Sequence, residues 1–279
     1  MSRRPRKPPE SGTLTSSTPQ TLPEKQEEMY RNVLRVLEKN KVPLAVAGAF
    51  ALQQHTGICR ETKDLDIFLS ADAASTALAC LSKQGLECEV TDPVWLAKVF
   101  RDQYFVDLIT GMSNAAITVD ASWIRHSYPA KVLGVDTRLL APEELLVSKL
   151  FVTRRERFDG ADIAHIIHPT RGKLDWGRIL RHTGEHWEIL LWALLFFRYA
   201  YPSKSNYVPM MLWRDLIGRL REAISNPDPR QEFRGSLVDD CMFAIDLKEW
   251  RLENLLDRYR ASLTSKISFA SEASCAGAG

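Results

Sequence analysis

The chain contains no run of about 18 apolar residues, the length a helix needs to cross a bilayer, so no membrane partner is expected. Its densest apolar piece, Trp187 to Ala200, is shorter, is flanked by charge, and reads as a buried helix. The N-terminus lacks the apolar core of a signal peptide. The five cysteines (Cys59, Cys80, Cys88, Cys241, Cys275) are odd in number and form no Cys-x-x-Cys pair. That pattern argues against a disulfide framework and for a reduced, cytoplasmic compartment. Strong charge of one sign is also missing: a net charge of +2 gives no general affinity for polyanions. Two histidine pairs, His165/His168 and His182/His186, lack both the glutamate of a metalloprotease motif and cysteines at zinc-finger spacing. Zinc is therefore not expected.

What is present divides the chain. Residues 1–23 are rich in Pro, Ser, Thr and Arg and nearly devoid of large apolar side chains, so they are expected to form a disordered basic arm. A disordered tail is expected over 267–279 on the same grounds. Between them the pattern is α+β, with strands clustering before residue 142 and helices after about 158. Met29, Val33 and Leu37 at helical spacing predict a helix over 24–40. A buried strand over 42–48 ends at Gly48, where a helix begins and runs to Gly57. Ser70 caps a helix over 71–84. Strands are read over 86–92, over the two arms of a hairpin within 95–110, and within 130–141. Pro142, at a favoured first helical position, opens a helix read over 142–157. Long helical patterns follow over 176–199, 208–224 and 237–262. The expected domains are 24–168, a mixed sheet flanked by helices, and 169–266, all helical.

Within this frame the stretch Arg60–Ser70, RETKDLDIFLS, places Asp64 and Asp66 on one face of a strand. Asp is depleted in strands, and two bare carboxylates on one face repel, so a positive charge is expected between them. Hard carboxylate oxygens suit Mg²⁺ or Mn²⁺, and Asp107, in the second arm of the hairpin, supplies a third. Three carboxylates are able to hold two ions, one activating a nucleophile and one stabilising a leaving group. The helix opening at Gly48 offers free backbone N–H groups to an anion such as a triphosphate, and the small Gly48 and Ala49 let it come close.

The segment from Ala45 to Ser70, with Arg60-x-Thr62-x-Asp64-x-Asp66 and a later Asp107, resembles the opening motif of the DNA polymerase β-like nucleotidyltransferase superfamily. It is similar in particular to small bacterial enzymes that modify antibiotics or act as toxins in abortive infection. The segment after Pro142, with Lys149, Asp159 and Asp162, is similar to a later motif of that group. The resemblance implies transfer of a nucleoside monophosphate from an NTP, ATP among them, to an acceptor, with release of pyrophosphate. It implies metal binding by Asp64, Asp66 and Asp107, phosphate contacts from Gly48, Ala49, Arg60 and Lys149, and support of the site by Asp162 or Asp159. The acceptor stays open: a small molecule, tRNA or a protein. Eight basic residues against four acidic ones between Lys149 and Arg181 would allow weak nucleic-acid contact. Where the family has Gly-Gly or Gly-Ser, this chain has Gly48-Ala49, which removes a hydroxyl and narrows the space above the helix. The alternative reading is a catalytically silent nucleotide-binding or interaction protein that keeps the fold.

Overall fold

A computed structural model describes residues 22–60, 62–263 and 267. The expected arm and tail therefore lie almost wholly outside the described residues. The described chain separates into two compact units, one of residues 22–141 with Leu263 and Ile267, the other Pro142–Ser262.

The first unit is built on a mixed seven-stranded sheet. Its strands are β1 (Ala45–Val46), β2 (Asp64–Phe68), β3 (Glu87–Asp92), β4 (Leu96–Arg101), β5 (Tyr104–Ile109), β6 (Tyr128–Val132) and β7 (Val135–Leu139), and they lie in the order β3-β4-β5-β2-β1-β7-β6. The pairs β2–β5 and β1–β7 run parallel and the others antiparallel. Helices α1 (Glu24–Lys39), α2 (Gly48–Thr56), α3 (Ala71–Ser82) and α4 (Ala121–His126) accompany it. Met29, Tyr30, Val33, Leu34 and Leu37 of α1 recur at helical spacing and are all fully buried, each such apolar side chain contributing about 1.5–3 kcal/mol. In the strands Leu65, Ile67, Val99, Val106 and Leu108 alternate with polar residues and are also fully buried. Their alternation forces Asp64, Asp66, Lys98 and Asp107 onto the other face. Ser70 caps α3 as expected, its hydroxyl accepting from Ala73 N–H at 3.4 Å. Both sheet edges are guarded against stray pairing, by Glu87 and Glu89 on β3 and by Pro129 and Lys131 on β6.

The second unit is helical: α5 (Pro142–Leu150), α6 (Gly160–Ile167), α7 (Trp176–Thr183), α8 (Trp187–Ala200), α9 (Met210–Ser225), α10 (Gly235–Asp239), α11 (Ala244–Lys248) and α12 (Leu255–Ser262). Three elements differ from expectation. The helix opened by Pro142 stops at Leu150 instead of reaching residue 157. Val152 and Thr153 are β-branched, and Thr153–Arg154 (β8) pairs with Arg157–Phe158 (β9) in a small hairpin. The pattern over 176–199 is two helices, because Gly184 adopts φ +50° and ψ −122°, a conformation open to glycine alone. The segment 237–262 is three short helices. The Asp239 carboxylate accepts from the N–H groups of Cys241 (2.9 Å) and Met242 (3.0 Å), forming a turn that competes with the helix, and Arg251 has φ +55°.

Candidate active site

Strand register assembles the acidic site. Asp66 of β2 stands opposite Asp107 of β5 in the parallel pair, and Asp64 lies two residues before it on the same face. Oxygens of Asp64, Asp66 and Asp107 all fall within 4.8 Å of one another. A positive charge stands beside Asp107, on the side away from β2, and not between Asp64 and Asp66. Lys98 of β4 is in register with Asp107 across the antiparallel β4–β5 pair, and its Nζ lies 2.6 Å from Asp107 Oδ1. Both side chains are largely covered, at 22% and 13% exposure. The ammonium also sits 4.1 Å from the centre of the Phe105 ring. Burial pushes the Asp107 carboxyl up from its usual range, and the Asp64 charge adds to the rise, while Lys98 works against it.

Neighbouring residues fix these groups. The Thr62 hydroxyl donates to Asp64 Oδ1 at 2.9 Å. Tyr30 of α1 donates its O–H to Lys63 O at 3.1 Å and accepts from Gln26 Nε2 at 2.8 Å, pinning the entry to β2. Burial, with the three aspartate charges adding to it, pushes the Tyr30 phenol up to about 12, so it stays a donor at neutral pH.

Gly48 stands at the first position of α2 with φ +55°, and the Asp66 carboxylate presses against it. A Cβ placed on Gly48 would lie 1.8 Å from Asp66 Oδ2. The N-cap residue of α2 is Ala47, whose side chain has no polar atom to cap the helix. A carboxylate beside a helix N-terminus is electrostatically favoured. A cleft of about 270 Å³ runs along α2, with Ala49, Phe50, Arg60 and Thr62 among its lining residues. The three hard carboxylates beside the start of α2 suit a divalent ion such as Mg²⁺.

Lys149, Asp159 and Asp162 come together in the second unit. Lys149 Nζ is 2.7 Å from Asp159 Oδ2 and 3.2 Å from Asp162 Oδ2, and Arg157 also pairs with Asp159. Burial alone would raise the Asp159 carboxyl, but Lys149 and Arg157 outweigh it and hold it below the usual range. Arg178 is likewise committed, to Glu143 at 2.5 Å and Glu144 at 2.9 Å. Lys149, Arg157 and Arg178 are thus each paired at close range, and Glu143 and Glu144, which lie outside the counted segment, lower its positive excess further.

Lys98 was not among the residues singled out from the sequence. Its signal is the hairpin itself: counting back from the turn between Arg101 and Tyr104 puts residue 98 opposite residue 107. A second acidic group, Asp239, Asp240 and Cys241, is the turn described above, with Arg155 N–H also donating to Asp239 at 3.2 Å.

The sequence profile of a family described as "Nucleotidyl transferase of unknown function (DUF2204)" matches residues 26–188. No curated protein matches. Among solved structures, an antigenic nucleotidyltransferase-like protein from Paracoccidioides brasiliensis is 17% identical, with 66% of this chain and 94% of that chain covered and a TM-score of 0.44. The antibiotic-resistance factor ANT(2'')-Ia is 13% identical over 66% of this chain and 96% of that one, with a TM-score of 0.40. The lincosamide antibiotic adenylyltransferase LnuA is 18% identical over 53% and 98%, with a TM-score of 0.37.

Proposed function

Because the chain belongs to the DUF2204 family of nucleotidyl transferases, we propose that it moves a nucleoside monophosphate from an NTP to an acceptor and releases pyrophosphate. The observation that carries this reading is the convergence of Asp64, Asp66 and Asp107 within 4.8 Å beside the start of α2. These carboxylates would hold Mg²⁺ or Mn²⁺, which when bound neutralises charge developing on the reacting phosphate oxygens. The amides at Gly48 and Ala49 bind the triphosphate. Arg60, on the wall of the cleft that Ala49 also lines, contacts the phosphates. Lys149, which the resemblance implies as a phosphate contact, is paired with Asp159 and Asp162 within the second unit. Asp107 takes the proton of the acceptor hydroxyl. The new bond joins the acceptor oxygen to the α-phosphorus, the bond to the bridging oxygen breaks, and pyrophosphate leaves with that electron pair. The helical residues 169–266 form the part that selects the acceptor. The proposed setting is the cytoplasm.

Ala49, in place of a second Gly or a Ser, favours one other reading, a nucleotide-binding protein without turnover. Labelled NTPs incubated with the protein and cell extract separate the two. Label appearing in RNA, protein or a small molecule, and lost in Asp64→Ala/Asp66→Ala, supports transfer and names the acceptor class. Binding of Mg²⁺ and NTP by calorimetry, without label transfer, supports the silent protein. Label in tRNA or protein, together with growth arrest that the double variant relieves, points to the toxin-type enzyme.

A further inference from the structure

The site described above carries a built-in cation. Lys98 is not a surface lysine that happens to reach an acid. Cross-strand register places it opposite Asp107, its Nζ lies 2.6 Å from Asp107 Oδ1, the Phe105 ring lies beneath the ammonium at 4.1 Å, and the side chain is only 22% exposed. Phe105 is in turn in register with Asp64, and the ammonium is held on the β4 side of Asp107 against that ring. Three ionised carboxylates carry three negative charges. Lys98 leaves two, the charge one divalent ion neutralises. A second divalent ion would have to approach a carboxylate that already pairs with an ammonium, in a setting where screening is weak.

Resting on the nucleotidyl transferase reading, we infer that Lys98 takes the place of one of the two metal ions that three such carboxylates would otherwise hold. The site then binds a single divalent ion through Asp64 and Asp66, and Lys98 supplies the fixed positive charge at Asp107. As a positioning residue it orients the Asp107 carboxylate and sets a fixed positive charge beside it, and it needs no free metal to do so.

The test counts ions, not turnover. Full-length protein is titrated with Mn²⁺, and free Mn²⁺ is read by electron paramagnetic resonance. The wild type should bind one ion at this site. Lys98→Met keeps the apolar stem, removes the charge, and should bind two. Lys98→Arg keeps the charge and should stay at one. Melting curves identify any variant that has not folded, and the arginine variant and wild type then still decide the count. Two ions in the wild type, or one in a folded Lys98→Met, overturns the role of Lys98. Asp64→Asn serves as the separate control. If Mn²⁺ binding is absent in the wild type or indifferent to that substitution, the metal-site reading itself fails and this inference falls with it. If Asp64→Asn abolishes binding while Lys98→Met remains at one ion, only the role of Lys98 is lost.

Discussion

Gly48 is where backbone and chemistry meet most closely. Its φ of +55° lies in the left-handed region, and any Cβ there would overlap Asp66 Oδ2. Gly48→Ala should therefore cost about 1–2 kcal/mol for the conformation alone and should also push Asp66 out of the acidic group. Urea unfolding checks the first effect. Mn²⁺ affinity, expected to fall roughly 10–100-fold as when a metal ligand loses its support, checks the second. Ala49 bears no such constraint, so Ala49→Ser should leave stability within about 0.5 kcal/mol. Tyr30 acts at a distance from the acids. Removing its hydroxyl in Tyr30→Phe leaves Lys63 O and the Gln26 amide without their partner and should cost about 1–3 kcal/mol by denaturant unfolding. Its ring, packed edge-on to Phe50, stays.

At the scale of elements, α5 and α6 are joined by charge in a nearly dry setting. Lys149, Asp159 and Asp162 have side-chain exposures of 12%, 10% and 6%. Lys149→Met removes the buried cation that Asp159 and Asp162 share, leaving Arg157 beside Asp159, and should cost up to about 3–5 kcal/mol. Adding Asp162→Asn should recover part of that loss in a double-mutant cycle. A loss well under 1 kcal/mol would mean that the lysine is held only loosely, as a dedicated phosphate contact would be. Such elements also show which parts of the fold could be read in advance. Signals spanning a few residues were legible: the cap at Ser70, the proline opening α5, the alternation in β2, and the hairpin that carries Asp107. What depended on distant partners was not. The parallel pairing of β2 with β5 passes over α3, β3 and β4, and only that pairing sets Asp66 beside Asp107. The end of α5 at Leu150 and the break at Gly184 were hidden because apolar spacing continues through both. Lys98 was hidden for a different reason. A lone lysine in a strand ordinarily reads as a solvated edge charge, and only the register of the hairpin turns it inward.

Over the whole molecule, acid should act on both units through buried imidazoles. His55, in the first unit, holds its Nε2 2.7 Å from Leu140 O, and burial lowers its pKa below the ordinary 6.5, with that hydrogen bond opposing. His186, in the second, is lowered chiefly by burial, Glu185 opposing and Arg234 assisting. For both, the folded chain prefers the neutral ring, so their contribution to stability is complete above pH 6.5 and is lost as pH falls through the depressed values. Asp159, also lowered, loses its contribution only below the ordinary 3.8. Asp107 runs the other way. Its raised pKa means the fold takes up that proton readily, so its contribution is complete below 3.8 and is lost as pH rises through the folded value. Unfolding free energy should thus be flat from pH 8 to 7 and decline from about 6.5 downward, with Asp107 softening the descent at its lower end. Denaturant titrations at half-unit pH steps measure the slope. His55→Gln and His186→Gln should each remove a share of it whatever their effect on absolute stability. A slope between pH 6.5 and 5 that survives both substitutions would place the acid sensitivity in other groups.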